Sequence, residues 1–274
     1  MIAGNIAHRG ARSLAPENTL LAFDKAWDLG AAGFEVDVQV LADGTLVIHH
    51  DTTLARTTDV SECFPDRASH PITTFIFEEI RTLDAGSWFI DSDPFSQISS
   101  GSVSFADIER MYNLQIPTLE EVLQYVKGKN WRVNLELKKV AKPLSDFPMV
   151  DEVLKLIKHH RIDNDQFAIS SFHHPYIDKV KHQYPEIEIN ALIGSKRSLR
   201  NKWNDYSYQI YNANVEYIDQ YQVEKAREKG CTVNLYTVND VSMMMNYFDW
   251  GVNALITDYP QVLQKVIKNR SNSE

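Results

Sequence analysis

Cysteine and long apolar runs are both scarce in this chain. The two cysteines among its 274 residues, Cys63 and Cys231, are too few for a disulfide framework and lack the paired spacing of a zinc site. No apolar stretch approaches the roughly 18 residues of a membrane-spanning helix, and residues 1–7 lack the basic start of a secretion signal. These absences predict a soluble cytoplasmic protein without membrane insertion.

Basic residues are also in the minority. The chain has 28 Lys and Arg against 37 Asp and Glu, a net charge of −9, and the basic residues are scattered. Because nucleic-acid binding relies on clustered positive charge, we expect no nucleic-acid partner. Gly (11) and Pro (10) are too few for a collagen-like or low-complexity chain, and 43% hydrophobic residues suffice for a packed core.

Short apolar runs alternate with segments of helical period, which predicts βα units around a parallel sheet. The predicted strands cover residues 5–8, 34–41, 45–50, 131–137, 167–171, 187–193, 215–221, 231–238 and 254–257. The predicted helices cover residues 19–29, 119–126, 151–160, 175–183, 198–212, 223–229, 241–250 and 260–268.

The segment Ala42-Asp43-Gly44 is a turn short enough to join only antiparallel strands, so residues 34–41 and 45–50 form one hairpin. Eight βα units then remain, which predicts an α/β fold of the closed (β/α)₈ TIM barrel type; an open doubly wound sheet is the alternative. We expect one domain over residues 1–274. Residues 51–115, after the second barrel strand, form an insertion with one short helix near 77–83, and such insertions usually carry binding function.

Two carboxylates stand at alternate positions of one predicted strand. Glu35 and Asp37 therefore point to the same face, and the hairpin brings His50 opposite or close to Asp37. The neighbouring His49 points the other way. Like charges this close favour a bound cation, although a solvated polar face of the strand explains them equally well.

Two further pairs stand at predicted strand ends. His8 and Arg9 end the first strand, where a guanidinium beside an imidazole suits a phosphate, although a surface pair is the alternative. Glu136 and Lys138 share one face of a later strand, with a structural ion pair as the alternative. With Glu35 and Asp37, Glu136 completes a set of three carboxylates, whose oxygen atoms are ligands suited to Mg²⁺ or Ca²⁺.

Taken together, these motifs resemble the glycerophosphodiester phosphodiesterase family, in its soluble bacterial cytoplasmic form. The resemblance extends over about residues 4 to 265 and rests on His8-Arg9-Gly10, Pro16-Glu17-Asn18-Thr19, Glu35-x-Asp37, His50-Asp51, Leu135-Glu136-x-Lys138, Ser171-Phe172, Thr237-Val238-Asn239 and Thr257-Asp258-x-Pro260. It implies a metal-dependent TIM barrel that hydrolyses glycerophosphodiesters to sn-glycerol 3-phosphate and an alcohol.

The resemblance also implies roles for individual residues. Glu35, Asp37 and Glu136 would be ligands of Mg²⁺ or Ca²⁺, and His8 and His50 the general acid and base. Arg9 and Lys138 would contact the phosphate, and Phe172 and Tyr236 would line the substrate site. Tyr236 stands where the family commonly has Trp, which changes the shape of the alcohol pocket.

Two other functions fit parts of the pattern. A phospholipase D-like phosphodiesterase acting on lysophospholipids would need an apolar entrance, and no amphipathic basic helix is evident. A barrel that binds phosphodiesters without cleaving them would not need two histidines. We therefore expect a small-molecule glycerophosphodiester as partner and a monomer or homodimer, with water or the substrate's own 2-hydroxyl as the nucleophile.

Overall fold

The computed structural model describes residues 4–194 and 206–271, in which eight parallel strands close into a barrel. Closure occurs where the last barrel strand and the second both pair with the first. The strands are β1 (Gly4–His8), β2 (Gly33–Val40), β3 (Leu46–Ile48), β4 (Arg132–Leu137), β5 (Phe167–Ser171), β6 (Ile189–Ile193), β7 (Ile210–Asn214), β8 (Thr232–Tyr236) and β9 (Ala254–Thr257). The predicted TIM barrel is confirmed, and the open sheet is excluded.

Helices surround the barrel and fill the segment between β3 and β4. They are α1 (Leu20–Asp28), α2 (Val60–Cys63), α3 (Phe77–Ile80), α4 (Ser87–Ser92), α5 (Phe105–Glu109), α6 (Leu119–Val126), α7 (Met149–His160), α8 (His174–Gln183), α9 (Gln220–Glu228), α10 (Val241–Asp249) and α11 (Pro260–Ser271). No helix in the described ranges combines the length and apolar character needed to cross a bilayer.

The predicted hairpin is confirmed. Strand β3 runs antiparallel to β2, with Val38 opposite Ile48. The carboxylate of Asp43 accepts the backbone N–H of Thr45, and Gly44 has φ 88°, a left-handed conformation that glycine adopts without steric cost. The hairpin thus places residues 49 and 50 beside the carboxyl end of β2.

The start of α1 fixes the loop that follows β1. The Thr19 side chain accepts the backbone N–H of Ala22, which caps the helix. Gly10 has φ 84°, and a Cβ there would lie 2.7 Å from the carbonyl carbon of Ala22, so only glycine allows this approach. Residues 9–18 are therefore held against the mouth of the barrel.

The segment between β3 and β4 has its own apolar cluster, which lies beside the main core. Its buried members include Leu54, Val60, Phe75 and Ile80. The predicted short helix is present as Phe77–Ile80, but the sequence analysis missed three other short α-helices and two 3₁₀ turns, Pro65–Arg67 and Ile72–Thr74. Elements this short show too few turns to give a helical period.

One strand prediction is wrong. Residues 215–221 were predicted as a strand, but β7 is Ile210–Asn214. The Asn214 side chain accepts the backbone N–H of Glu216, and its carbonyl accepts that of Tyr217, so the chain turns there. The helix predicted over residues 198–212 is wrong in its last part, because residues 210–212 belong to β7; residues 198–205 lie outside the described ranges.

Candidate active site

Three carboxylates meet inside the carboxyl end of the barrel. Asp37 on β2 is paired in register with Glu136 on β4, and Glu35 lies two positions earlier on the same face of β2. Oxygen atoms of the three lie within 4.8 Å of one another, and all three residues are buried. Glu35 Oε1 has no hydrogen-bond partner among the described residues.

Buried carboxylates this close together ionise readily only when positive charge lies nearby. Burial, with Asp37 and Glu136 nearby, raises the pKa of Glu35 well above its ordinary value. Burial also disfavours ionisation of Asp37, but the Lys138 ammonium and the Arg9 guanidinium outweigh it and hold the pKa of Asp37 well below its ordinary value. Lys138 Nζ lies 2.8 Å from Asp37 Oδ1 and 2.5 Å from Glu136 Oε1.

The donor set fits a divalent cation. Carboxylate oxygens are the ligands that Mg²⁺ and Ca²⁺ prefer, and the unpartnered oxygen of Glu35 is available for coordination. Burial favours the uncharged amine of Lys138, yet the charges of Asp37 and Glu136 raise its pKa above the ordinary value. Lys138 and Arg9, the latter shared with Glu17, offset only part of the charge of three carboxylates, so the cluster can hold a metal ion.

Arg9 lies against this cluster rather than in solvent. It follows β1 with φ 57°, and its backbone N–H donates to Glu35 Oε2 over 3.2 Å. Its guanidinium donates to Glu17 Oε1 over 2.7 Å and lies 3.2 Å from Asp37 Oδ2. Asn18, which was not predicted to lie in the site, donates its side-chain N–H to Asp37 Oδ2 over 2.8 Å.

His8 faces the cluster from the end of β1. Its Nε2 is 3.9 Å from Glu35 Oε2, and its Nδ1 is 2.7 Å from Oδ1 of Asp258, which follows β9. The pKa of Asp258 lies below its ordinary value because His8 and Arg12 outweigh its burial, so the carboxylate is an acceptor and Nδ1 carries the proton. Burial, followed by the charge of Arg9, lowers the pKa of His8. A neutral His8 therefore presents an unprotonated Nε2.

His50 is held in the same way by its neighbour in the chain. Its Nδ1 is 2.7 Å from Asp51 Oδ1, and the pKa of Asp51 lies below its ordinary value because His50 and Arg56 outweigh its burial. In the backbone register it is His49 whose N–H donates to the Asp37 carbonyl, so His50 is close to Asp37 but not opposite it. The side chain of His49 turns away, as predicted, with Nε2 3.0 Å from the Thr53 carbonyl oxygen.

A cleft of about 560 Å³ opens beside the acidic cluster, lined by His50, Glu136, Lys138 and Phe172 among others. Phe172 meets Tyr236 edge to face, with ring centroids 6.2 Å apart. The Tyr236 hydroxyl donates to the Ile193 carbonyl over 2.8 Å, which fixes the ring. The two aromatic side chains thus form one wall beside the acidic cluster.

The side chains that hold the two histidines could not be predicted from the sequence. Asp258 also accepts from Arg12 over 3.2 Å and from Asn239 over 2.8 Å. Arg56 donates to Asp51 over 2.5 Å. Asp258 and Asn239 stand in motifs that support the family resemblance, but nothing in their spacing indicates that Asp258 contacts His8.

Carboxylates, histidines and cations grouped at the carboxyl ends of barrel strands define an enzyme of the (β/α)₈ class. Comparison with known proteins gives its family. The family model described as "Glycerophosphoryl diester phosphodiesterase family" matches residues 8–262. The chain belongs to this family and is an enzyme of the phosphoric diester hydrolase class.

Three relatives illustrate the range of the family. A glycerophosphodiester phosphodiesterase of Caldanaerobacter subterraneus is 32% identical over 267 residues, which cover 96% of this chain and 97% of that protein. The mouse glycerophosphoinositol inositolphosphodiesterase GDPD2 is 28% identical over 264 residues, and the chain spans only 47% of its length. An Oleispira antarctica phosphodiesterase, whose structure was solved in complex with the product sn-glycerol-3-phosphate, is 28% identical to this chain in sequence. The two structures align with a TM-score of 0.77, and the alignment covers 96% of each chain.

Proposed function

We propose that this enzyme hydrolyses glycerophosphodiesters to sn-glycerol 3-phosphate and an alcohol, with Mg²⁺ or Ca²⁺ as cofactor and two histidines as acid and base. The observation that carries the proposal is that two histidines, each held at Nδ1 by an aspartate, lie beside the carboxylate cluster: His8 is 3.9 Å from Glu35, and His50 lines the cleft together with Glu136. The sn-glycerol-3-phosphate in the Oleispira structure supports the choice of product.

Glu35, Asp37 and Glu136 would hold the cation. When bound, it supplies positive charge to the non-bridging phosphate oxygens, on which negative charge develops during hydrolysis. Lys138 and Arg9 add fixed positive charge beside the cluster and contact the phosphate. Phe172 and Tyr236 pack against the non-phosphate part of the substrate.

The two histidines divide the proton transfers. One takes the proton of the attacking hydroxyl at Nε2, and the other gives its Nε2 proton to the leaving alkoxide. Both keep Nδ1 engaged with an aspartate, so each imidazole exchanges protons through the nitrogen that faces the substrate. The attacking hydroxyl is that of water or the substrate's own glycerol 2-hydroxyl.

The test is a product assay. Glycerophosphocholine and glycerophosphoethanolamine are incubated with the protein after EDTA treatment and again with Mg²⁺, Ca²⁺ or Mn²⁺ restored, and both glycerol 3-phosphate and free glycerol are measured. We expect glycerol 3-phosphate, abolished by EDTA and restored by a divalent cation. Free glycerol would show that the other ester bond breaks, and cleavage of lysophospholipids alone would favour the phospholipase D-like alternative.

A substrate analogue separates the two nucleophiles. A phosphodiester of 2-deoxyglycerol lacks the hydroxyl that would form a cyclic phosphate, so only direct attack by water can cleave it. Cleavage at a rate near that of glycerophosphocholine assigns the attack to water, and complete resistance assigns it to the 2-hydroxyl.

We further propose that the whole chain acts as one catalytic domain in the cytoplasm, as a monomer or homodimer. Both cysteines, exposed Cys63 and buried Cys231, are free thiols, which suits a reducing compartment. Sedimentation of the purified protein measures the oligomeric state, and fractionation of the source cells measures the location.

A further inference from the structure

Glu17 is a buried carboxylate that none of the catalytic steps above uses. It lies in the loop between β1 and α1, and its side chain is 3% exposed. Three arginines donate to it: Arg9 to Oε1 over 2.7 Å, Arg12 to Oε2 over 2.8 Å, and Arg56 to both oxygens over 2.7 and 3.0 Å. A carboxylate has about four acceptor positions, so the acceptor capacity of Glu17 is full.

Two of these arginines continue to the aspartates that hold the histidines. Arg12 donates to Asp258, whose Oδ1 accepts a hydrogen bond from His8 Nδ1. Arg56 donates to Asp51, whose Oδ1 accepts a hydrogen bond from His50 Nδ1. An unbroken series of hydrogen bonds therefore joins His8 to His50, and Glu17 is its midpoint.

Charges of opposite sign alternate along this series. Arg12 and Arg56 stand between the carboxylates of Asp258, Glu17 and Asp51, and Arg9, which also lies 3.2 Å from Asp37, adds a third guanidinium at Glu17. Burial disfavours the ionised form of Glu17, but the hydrogen bonds and charges of Arg56, Arg9 and Arg12 hold its pKa well below the ordinary value. Glu17 is thus a fixed anion that keeps the guanidiniums in place.

Aromatic side chains of the insertion pack on two arginines of the series, Arg12 on the His8 side and Arg56 on the His50 side. The guanidinium of Arg12 lies 5.3 Å from the ring of Phe95, and that of Arg56 lies 5.9 Å from the ring of Trp88. Each contact is a cation–π interaction that also shields the arginine from water. The side chain of Arg56 is still 40% exposed, so its position depends on its carboxylate partners.

We infer that Glu17 is a positioning residue that orients both histidines at once, through Arg12 and Asp258 on one side and Arg56 and Asp51 on the other. The inference rests on the proposed acid and base roles of His8 and His50. An imidazole held at Nδ1 keeps one tautomer and one ring orientation, so Nε2 meets the substrate. A single carboxylate thereby sets the geometry of both proton transfers.

Three substitutions test the whole series and then its His8 side and its His50 side separately. Glu17→Gln replaces one acceptor oxygen by an NH₂ group that faces guanidinium donors, so hydrogen bonds on that side break. Arg12→Gln interrupts only the path to His8, and Arg56→Gln only the path to His50. Glu188→Gln is the control, because it removes a partly buried partner of another arginine, Arg132, just before β6 and away from both histidines.

Two measurements are made on each variant: steady-state kinetics, and ¹H–¹⁵N spectra that report which nitrogen of each histidine carries the proton. Glu17→Gln is expected to lower kcat by about 10- to 100-fold with KM little changed, the usual cost of losing an outer partner of a catalytic group. Its spectra are expected to change for both histidines. Arg12→Gln is expected to change only the His8 signals and Arg56→Gln only those of His50, whereas Glu188→Gln changes neither kcat nor the spectra.

Unchanged histidine signals and kcat in a folded Glu17→Gln protein would overturn the inference. If Glu17→Gln fails to fold, the same decision comes from Arg12→Gln and Arg56→Gln, whose side chains are 22% and 40% exposed and tolerate replacement better. His8→Ala and His50→Ala separate the two proposals. Full activity in these variants refutes the acid and base roles themselves, whereas their inactivity beside a fully active Glu17→Gln refutes the role of Glu17 alone.

Discussion

Asp258 and His8 lie 250 residues apart in the chain, and Asp258 Oδ1 is 2.7 Å from His8 Nδ1. The contact exists because the barrel closes: β9 pairs with β1, so the residue after the last strand lies beside the end of the first. His50 has the equivalent contact with Asp51, its direct neighbour in sequence. One proposed acid–base group therefore depends on barrel closure, and the other on a local turn.

The two histidines give the first prediction. His8→Ala and His50→Ala are each expected to lower kcat by roughly 10²- to 10⁴-fold, because each removes one proton transfer, while thermal unfolding changes little. His159→Ala, at the exposed end of α7, serves as the control. A near-native kcat in either site variant would refute the pair.

Glu136→Gln tests the cation site. The substitution keeps the side-chain shape but removes the charge of one of the three proposed ligands, so the Mg²⁺ concentration for half-maximal activity is expected to rise roughly 10-fold or more. Calorimetric titration with Mg²⁺ measures the same change without turnover. Glu109→Gln, on the exposed side of α5, is the control, and an unaltered titration would remove Glu136 from the ligand set.

Lys138→Met tests the charge balance of the cluster. Without the ammonium, Asp37 and Glu136 lose their nearest cation, and the metal-free protein is expected to lose about 3 kcal/mol of stability. Binding of a divalent cation should restore part of this loss, so adding Mg²⁺ raises the Tm of the variant more than that of the native protein. Thermal scans with EDTA and with Mg²⁺ measure both values. An equal rise in the two proteins would contradict the prediction.

Phe172→Ala tests the aromatic wall. Loss of the ring removes the apolar contact that we propose Phe172 makes with the substrate, so KM is expected to rise about 10-fold while kcat changes less. Tyr236→Phe keeps the second ring and removes only the hydrogen bond to Ile193, so its effect should be smaller. Steady-state kinetics on glycerophosphocholine separates KM from kcat. A fall in kcat alone would place Phe172 outside the substrate site.

Asp84→Asn tests how the insertion is stabilised. Asp84 accepts the backbone N–H groups of Gly86, Ser87 and Asn113, and these bonds, with the Ser87 hydroxyl, outweigh its burial and lower its pKa. A carboxylate with a lowered folded pKa stabilises the protein above its unfolded pKa of about 4, and this stabilisation is lost as the pH falls through the folded value.

The variant is therefore expected to lose about 1–3 kcal/mol of unfolding free energy at pH 7. Its deficit should shrink below about pH 4, as the native carboxylate takes up its proton. Urea unfolding of both proteins at neutral and at acid pH measures the difference. A deficit that stays constant with pH would show that the charge of Asp84 is not what holds the insertion.

Much of the architecture could be predicted from local sequence. Strand periodicity put Glu35 and Asp37 on one face, and the Asp43-Gly44 turn gave the hairpin and hence the count of eight barrel strands. Strand β7 could not be predicted in this way, because Val215 to Ile218 alternate like a strand while Asn214 turns the chain before them. A side-chain hydrogen bond decides that boundary, and apolar periodicity does not record it.

The sequence by itself determined the barrel strands other than β7 and the hairpin of β2 and β3, because these depend on neighbours a few positions apart. Only the tertiary structure decided that Glu17 joins three arginines and that Asp258, not a nearby residue, holds His8. These contacts join loops from the first, second and last parts of the barrel. Their partners are selected by how the closed barrel brings strand ends together, a relation that no local pattern contains.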